Sequence, residues 1–100
     1  MRLNQLIKTQ EVKTDGGAVF IIKDDLSWFE HLTMLEIIDD KERGLFALSK
    51  MIIKWNLQGE DGNDLEINVE NIKRLPTQDM QPAMEKVSEM FKSHGKKKVN

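Results

Sequence analysis

The stretch Thr-Asp-Gly-Gly at residues 14–17 restricts the fold more than any other part of this sequence, because it separates two strand-forming runs. An Asp-Gly pair in this setting is the strongest short-range signal for a β-hairpin, since both central residues of a type I′ turn need positive φ. We therefore predict antiparallel strands over residues 5–13 and 18–23. The second strand is apolar on both faces and should be covered on both, whereas Lys8 and Lys13 suit the first strand to a sheet edge.

A first amphipathic helix is predicted over residues 26–38. Ser27 and Glu30 have the spacing of a capping box, which marks a helix start. Four apolar residues then recur at helical spacing, with Trp28 at the flank of their stripe. The stripe consists of Phe29, Leu32, Leu35 and Ile38.

A second helix is predicted to follow directly and to end at Trp55. Asp39 and Glu42 resemble another capping pair at its start. Gly44 either weakens its first turns by up to about 1 kcal/mol relative to Ala or marks close packing. Its buried stripe has spacing i, i+3, i+7 and i+10, with Trp55 as a core anchor. The stripe consists of Leu45, Leu48, Ile52 and Trp55.

Beyond this helix, residues 58–64 read Gln-Gly-Glu-Asp-Gly-Asn-Asp. Glycine, asparagine and aspartate favour turns, so we predict a short loop or an irregular hairpin that reverses the chain. Asn68 can then cap a short helix that Pro76 ends.

The last helix is predicted to start at Asp79 as N-cap, with Pro82 in its first turn, and to end at Gly95. Its apolar stripe consists of Met80, Met84, Val87 and Phe91. Together these elements predict an α+β fold in which an N-terminal β-hairpin packs on a small bundle of three to four helices. Residues 1–95 are expected to form a single domain, and residues 96–100 a flexible basic tail.

Composition excludes several classes of protein. The chain has no cysteine, which removes disulfides, thiolate metal sites and a cysteine nucleophile. The longest apolar run, residues 18–22, is far shorter than the roughly 20 residues of a membrane-spanning helix. The first residues also lack the apolar core of a secretory signal. We therefore expect no membrane association.

The acidic turn raises the question of calcium. With Gly62 at position six of an EF-hand loop, Leu57 falls at position one and Asn68 at twelve, and neither is a carboxylate. A looser site is conceivable from three carboxylates: Glu60, Asp61 and Asp64. Acidic residues are common in turns for their turn chemistry alone, so we interpret this loop as a connector and expect no metal or other cofactor.

The side chains available for catalysis are few. His31 and His94 lie far apart in the sequence, and Ser27 and Ser49 have no neighbouring base, although sequence order alone does not exclude a triad. There is no glycine motif for phosphates or dinucleotides. We therefore expect no enzymatic activity, no catalytic residue and no small-molecule substrate.

Charge is unevenly distributed along the chain. Residues 24–42 carry seven acids and one base, whereas Lys92 and Lys96–Lys98 make the end basic. A few lysine–phosphate contacts give weak, salt-sensitive binding, and no aromatic residue is interleaved here to stack on bases. We therefore consider nucleic-acid binding unlikely and expect the lysines to solvate the last helix and complement its dipole.

Apolar surface is the remaining candidate for function. Methionine side chains adapt to varied partners, although they fill ordinary cores more often. An exposed Trp28, or an exposed edge at Met80 and Met84, would be a docking patch for a protein partner. The sequence leaves the binding face and a possible homo-oligomer open.

The second half of the chain resembles small morphogenesis proteins of tailed bacteriophages, of the tail assembly chaperone kind. The pattern is a tryptophan closing a helix, an acidic Asp-Gly loop, a short pre-helix segment and a terminal helix. The matching residues are Trp55, Leu57, Asp61, Gly62, Leu65, Asn71, Ile72, Leu75 and Pro76. The resemblance implies a non-enzymatic protein that binds tape-measure or tail-tube proteins in the host cytoplasm during tail assembly. It brings no catalytic residues.

Two alternative functions remain open. A structural component of the virion, such as a connector or tail protein, would be retained in mature particles, whereas a chaperone would be absent from them. A small nucleic-acid-associated regulator would bind in a steeply salt-dependent way through Lys96–Lys98.

Overall fold

The structure is a computed structural model that describes the backbone of residues 1–99 and the side chains of residues 1–92. Its architecture is α+β, as predicted, with an antiparallel sheet of three strands in the order β1-β2-β3. In chain order the elements are α1 (Leu3–Leu6), β1 (Thr9–Lys13), β2 (Val19–Lys23), α2 (Trp28–Leu35), α3 (Asp40–Met51), β3 (Ile52–Trp55), α4 (Val69–Arg74) and α5 (Thr77–Val99). The predicted basic tail, residues 96–100, lies outside the described side chains.

The predicted hairpin is present, but its turn differs from the prediction. No residue other than glycine has positive φ within the described backbone, so Asp15 cannot occupy a type I′ turn. Instead Gly17, with φ of 95°, takes the left-handed conformation and donates its N–H to the Thr14 carbonyl at 3.0 Å. A three-residue loop with its last residue in the left-handed conformation is a common hairpin connection after the two-residue turns.

Gly16 is needed for a different reason, which is close packing. A Cβ atom at this position would overlap the Asp79 carboxylate at the start of α5. The same carboxylate accepts a hydrogen bond from Thr14 Oγ1 at 3.0 Å. The turn is therefore fastened to the last helix of the chain.

The first strand is shorter than predicted. It begins at Thr9, and residues 3–6 form the short helix α1 instead of extending the strand from residue 5. Leu3, Leu6 and Ile7 recur at helical spacing, and the Gln5 side chain accepts a hydrogen bond from the Arg2 N–H at 2.8 Å. β1 lies at the sheet edge, as its lysines indicated, and β2 is central.

The largest correction concerns residues 52–55, which we predicted as the end of a helix. They form strand β3, which pairs antiparallel with β2 and places Trp55 opposite Phe20. Branching at Cβ disfavours helix and favours strand, and β2 offers Ile52 and Ile53 an unpaired edge. Helix α3 therefore ends at Met51.

Trp55 is nevertheless the core anchor that the sequence indicated. Only 9% of its surface is exposed, and its ring meets the Phe20 ring edge-on at a centroid distance of 6.1 Å. Its indole Nε1–H donates to the Leu65 carbonyl at 2.8 Å, which connects strand β3 to the chain beyond the acidic loop. Buried tryptophan needs such a partner for its N–H.

The acidic loop is an irregular hairpin, as predicted. Gln58 and Asp64 form an isolated antiparallel bridge, and the Gly59 N–H donates to the Asn63 carbonyl at 2.8 Å. Gly62 has φ of 82°, which the turn requires. The loop thus reverses the chain ahead of α4, which Asn68 caps by accepting the Asn71 N–H at 2.8 Å.

The last helix begins two residues before the predicted cap. Asp79 lies inside its first turn, and Pro82 consequently falls in the second turn. The helix continues to Val99 and does not end at Gly95 as predicted. Met80 and Val87 are buried as expected, but Met84 is 52% exposed.

One core joins the sheet to α3, α4 and α5. Its buried residues are Ala18, Phe20, Ile22, Leu26, Leu48, Met51, Ile52, Trp55, Ile72, Met80, Ala83, Val87 and Met90. Gly44 lies apart from close contacts, since a Cβ there would meet no atom within 4 Å. Gly44 therefore does not mark close packing, and of the two interpretations the weakening of the first turns of α3 remains.

Candidate protein-binding surface

Helix α2 begins as the sequence predicts. Ser27 Oγ accepts the Glu30 N–H at 3.1 Å, and the Glu30 carboxylate accepts the Ser27 N–H at 2.9 Å, which completes the capping box. The same carboxylate lies 2.6 Å from Lys23 Nζ at the end of β2, and both side chains are largely buried. This ion pair turns the polar side of α2 toward the sheet.

The environment of Glu30 stabilises its charge. Burial by itself would raise the pKa of the carboxyl group. The hydrogen bonds from Lys23 and Ser27, together with the positive charge of Lys23, outweigh that effect and hold the pKa below its usual value. Glu30 is therefore an ionised, structural group that fixes how α2 is rotated.

The rotation of α2 turns the predicted apolar stripe toward solvent. Trp28, Leu32 and Leu35 lie at i, i+4 and i+7 on the side opposite to Glu30 and face solvent. The exposed apolar residues of this region range from 40% exposed at Leu32 to 92% exposed at Ile38. We call this surface the α2 face, and it consists of Trp28, Phe29, Leu32, Leu35 and Ile38.

The α2 face is large for a chain of this size. With roughly 200 Å² for a fully exposed large apolar residue, its exposed fractions correspond to on the order of 700 Å². The largest apolar patch of a typical monomer covers about 300–600 Å², and such patches mark sites of interaction. Trp28 in particular is 77% exposed, so it can take part in a docking patch.

The end of the α2 face is held in place by Arg43 of helix α3. Its Nη2 and Nε atoms donate to the Ile37 carbonyl at 2.8 and 3.1 Å, and its Nη1 lies 3.1 Å from Asp40 Oδ1. Asp39 caps α3 by accepting the Glu42 N–H at 3.0 Å. These bonds order the connection between α2 and α3, so the exposed Ile38 sits on a fixed backbone.

Exposed acids lie at both ends of the α2 face. We call them the acidic flanks, and they consist of Asp25, Glu36, Asp39 and Asp40, of which Asp40 is already paired with Arg43. A partner that covers the face would meet apolar side chains in the middle and negative charge at the margins. The surface is therefore complementary to an apolar segment that carries basic residues.

One carboxylate of the acidic loop is held by turn contacts. Asp61 accepts hydrogen bonds from the Asn63 N–H at 3.0 Å and from its side-chain amide at 3.2 Å, and these two bonds lower the pKa of Asp61. Asp64 pairs with Gln58 through the backbone, and the side chains of Glu60 and Asp64 are exposed. Among residues 1–92, no three histidine, aspartate or glutamate side chains are grouped as a metal site requires.

The remaining candidate side chains, which are serines, histidines and lysines, either have structural roles, are exposed, or lie outside the residues whose side chains the structure describes. Ser49 Oγ donates to the Phe46 carbonyl at 2.8 Å, and Ser27 caps α2. No hydrogen bond joins the His31 side chain to either serine in the part of the structure that carries side chains. The side chains of His94 and Lys96–Lys98 are outside the described residues, and Lys92 is exposed.

The second candidate patch, at Met80 and Met84, is exposed only at Met84. Met80 is 6% exposed, whereas Met84 borders an open groove that α3 and α4 also line through Leu45 and Ile72. This groove offers one exposed apolar residue where the α2 face offers five. The α2 face is therefore the stronger candidate.

Replacing Glu30 with Gln tests the ion pair that orients α2. The substitution removes the carboxylate that Lys23 contacts and weakens the cap, so we expect the free energy of unfolding at neutral pH to fall by about 1–2 kcal/mol. Because the folded-state pKa of Glu30 is lowered, its contribution is complete above the unfolded-state pKa of about 4.3 and is lost as pH falls through the folded-state pKa. The difference from the wild type should therefore shrink in acid.

Urea unfolding at neutral and at strongly acidic pH measures this difference. Glu36→Gln is the matched control, since it removes the same charge from the exposed residue that directly follows α2 and should change stability by no more than about 0.5 kcal/mol. A difference for Glu30→Gln that does not depend on pH would contradict the role of the ion pair.

Comparison of the chain with family models, curated proteins and solved structures finds no match. Across the described part of the chain, no helix has the length and apolar character needed to cross a membrane.

Proposed function

We propose that this protein is a non-catalytic binding module that docks a protein partner on the α2 face. The observation that carries the proposal is the outward rotation of α2, which leaves two aromatic and three aliphatic residues in solvent. Aromatic anchors of this kind dominate the binding energy of protein interfaces.

The contacts around α2 support the interpretation that its exposed side is a binding surface, and not an exposed side without a role. The Lys23–Glu30 pair and the Arg43 hydrogen bonds fix the surface before a partner arrives. A preformed surface loses little conformational entropy on binding, which favours affinity.

We further propose that the partner belongs to the tail of a bacteriophage, as a tape-measure or tail-tube protein. Support for this step comes from the resemblance of the second half of the chain to tail assembly chaperones. In one respect the chain departs from that pattern, because Trp55 ends a strand and not a helix. On this proposal the protein acts in the host cytoplasm while the tail is built.

The test uses purified tape-measure and tail-tube proteins encoded beside this chain in the same phage genome, each titrated against the wild type by calorimetry. We expect binding to one of them. The double variant Phe29→Ser/Leu35→Ser should bind at least about 30-fold more weakly, because it removes two anchors. Absence of binding to both proteins would reject the phage assignment.

The matched control is Met84→Ser, which replaces an exposed apolar residue outside the α2 face and should bind as the wild type does. An equal loss for Met84→Ser and the double variant would reject the α2 face as the docking surface. Mass spectrometry of mature particles separates the two roles, since a structural component is present there in fixed stoichiometry and an assembly chaperone is absent.

A further inference from the structure

We propose that, before a partner binds, the α2 face is covered by residues 1–8 of a second copy of this chain, in a reciprocal dimer. We call residues 1–8 the α1 segment. This inference goes beyond the proposed function and is independent of it, because it concerns the purified chain alone.

The α1 segment is the second apolar element that the structure leaves without a partner. None of its residues is buried, and the exposed fractions of its apolar side chains run from 47% at Ile7 to 97% at Met1. Leu3, Leu6 and Ile7 have the i, i+3, i+4 spacing that puts apolar side chains on one side of a helix turn.

Charge matches the α1 segment to the α2 face. The segment contains Arg2 and Lys8 and no acid, and these two basic residues bracket Leu3, Leu6 and Ile7 in the sequence. The acidic flanks bracket the α2 face in the same way. An apolar middle with opposite charges at the margins satisfies the complementarity that specific docking requires.

The segment does not cover the α2 face of its own chain. Trp28 and Phe29 remain 77% and 76% exposed although the α1 segment is present. The Lys8 carbonyl accepts the Asp24 N–H at 2.8 Å, so the base of the segment is fixed beside the residues that precede α2. The α2 face is therefore open to the α1 segment of a second copy.

The area favours a reciprocal exchange over a single contact. With the same roughly 200 Å² per exposed apolar residue, the α1 segment presents on the order of 550 Å² beside the 700 Å² of the α2 face. One segment on one face buries at most about 1,250 Å², the low end for a stable complex, whereas a reciprocal pair buries up to twice that area. The reciprocal arrangement also closes as a two-fold dimer and leaves no contact open for further copies.

Sedimentation equilibrium of the purified full chain tests the dimer. We expect the wild type to dimerise in the micromolar range. The variants Phe29→Ser/Leu35→Ser and Leu3→Ser/Leu6→Ser should each raise the dimer dissociation constant at least about 30-fold, because either side of the contact is lost. Met84→Ser should leave it unchanged, and circular dichroism checks that every variant is folded.

Disulfide trapping then identifies the contact, since the natural chain contains no cysteine. Leu6→Cys and Leu35→Cys are made in separate chains of different mass and mixed under mild oxidation. We expect a mixed dimer in excess of both same-chain dimers, and no such excess when Met84→Cys replaces Leu35→Cys. This result requires that residue 6 of one copy reaches residue 35 of another.

Three outcomes would overturn the inference. The first is a wild type that stays monomeric at millimolar concentration, and the second is a dimer that Leu3→Ser/Leu6→Ser does not weaken. The third is an internal disulfide in a chain carrying both cysteines, without the mixed dimer, which would mean that the segment folds onto its own chain. None of these outcomes depends on whether a phage protein binds the α2 face.

Discussion

Replacement of Trp55 by alanine is expected to lower the free energy of unfolding by about 3–5 kcal/mol, the usual cost of removing a large buried aromatic side chain. The indole fills the space beside Phe20, and its loss leaves a cavity at the junction of strand β3 and the helices. It also leaves the Leu65 carbonyl without the N–H that it accepts at 2.8 Å. Urea unfolding followed by far-ultraviolet circular dichroism measures the change.

Trp28 provides the matched control, because the chain contains two tryptophans in opposite environments. Trp28 is 77% exposed in the single chain, so Trp28→Ala should change stability by no more than about 0.5 kcal/mol at protein concentrations where the chain is monomeric. The loss in free energy of unfolding for Trp55→Phe should lie between those for Trp28→Ala and Trp55→Ala, because phenylalanine keeps an aromatic ring but cannot form the hydrogen bond. Equal effects of Trp28→Ala and Trp55→Ala would contradict the assignment of Trp55 as core anchor.

Ile72→Ala is expected to destabilise the protein by about 2–5 kcal/mol, although it changes one residue of a six-residue helix. Helix α4 is too short to be stable alone, so its position depends on packing. Ile72 is its buried residue, 3% exposed, and it belongs to the core that α3 and α5 share. Chemical unfolding of the variant at neutral pH provides the measurement.

Two further substitutions, one at the same residue and one at the next, serve as references for the size of this effect. Ile72→Val removes a single methylene group and should cost about 0.5–1.5 kcal/mol. Lys73→Ala alters an exposed side chain whose contact with Glu70 is long, at 3.8 Å, and should stay within about 0.5 kcal/mol of the wild type. If Lys73→Ala were as damaging as Ile72→Ala, contacts of exposed side chains and not core packing would hold α4 in place.

The starts of α2, α3 and α4 could be predicted from the sequence because capping is local. Ser27, Asp39 and Asn68 each accept the N–H of the residue three positions later. Ser27 and Asp39 were predicted from their spacing to Glu30 and Glu42, and Asn68 as the cap of a short helix that Pro76 ends. The hairpin was equally predictable from its turn residues. Its turn type was not, because the Asp-Gly pair signals type I′ while the adjacent Gly17 takes the left-handed conformation instead.

The features that could not be predicted depend on contacts between distant residues. Periodicity identifies an apolar stripe on α2 but does not say which side faces inward, and here the contact between Lys23 and Glu30 decides it. Likewise, the helical spacing that ends at Trp55 competes with pairing to β2, which is 35 residues earlier at Phe20. The candidate surface was therefore identified by its residue types, and its exposure was known only from the fold.

The hydrogen bond between Thr14 and Asp79 spans 65 positions of the chain, and it has a consequence for the order of folding. The hairpin can form early, starting from its turn, because closing a short loop costs little conformational entropy. The hairpin can dock on the start of α5 only after the chain between these two elements has become ordered. Contacts between such distant residues slow folding. We therefore expect the sheet and helix α5 to dock in one late, cooperative step. The backbone amides of both elements should then be protected against hydrogen exchange to the same degree.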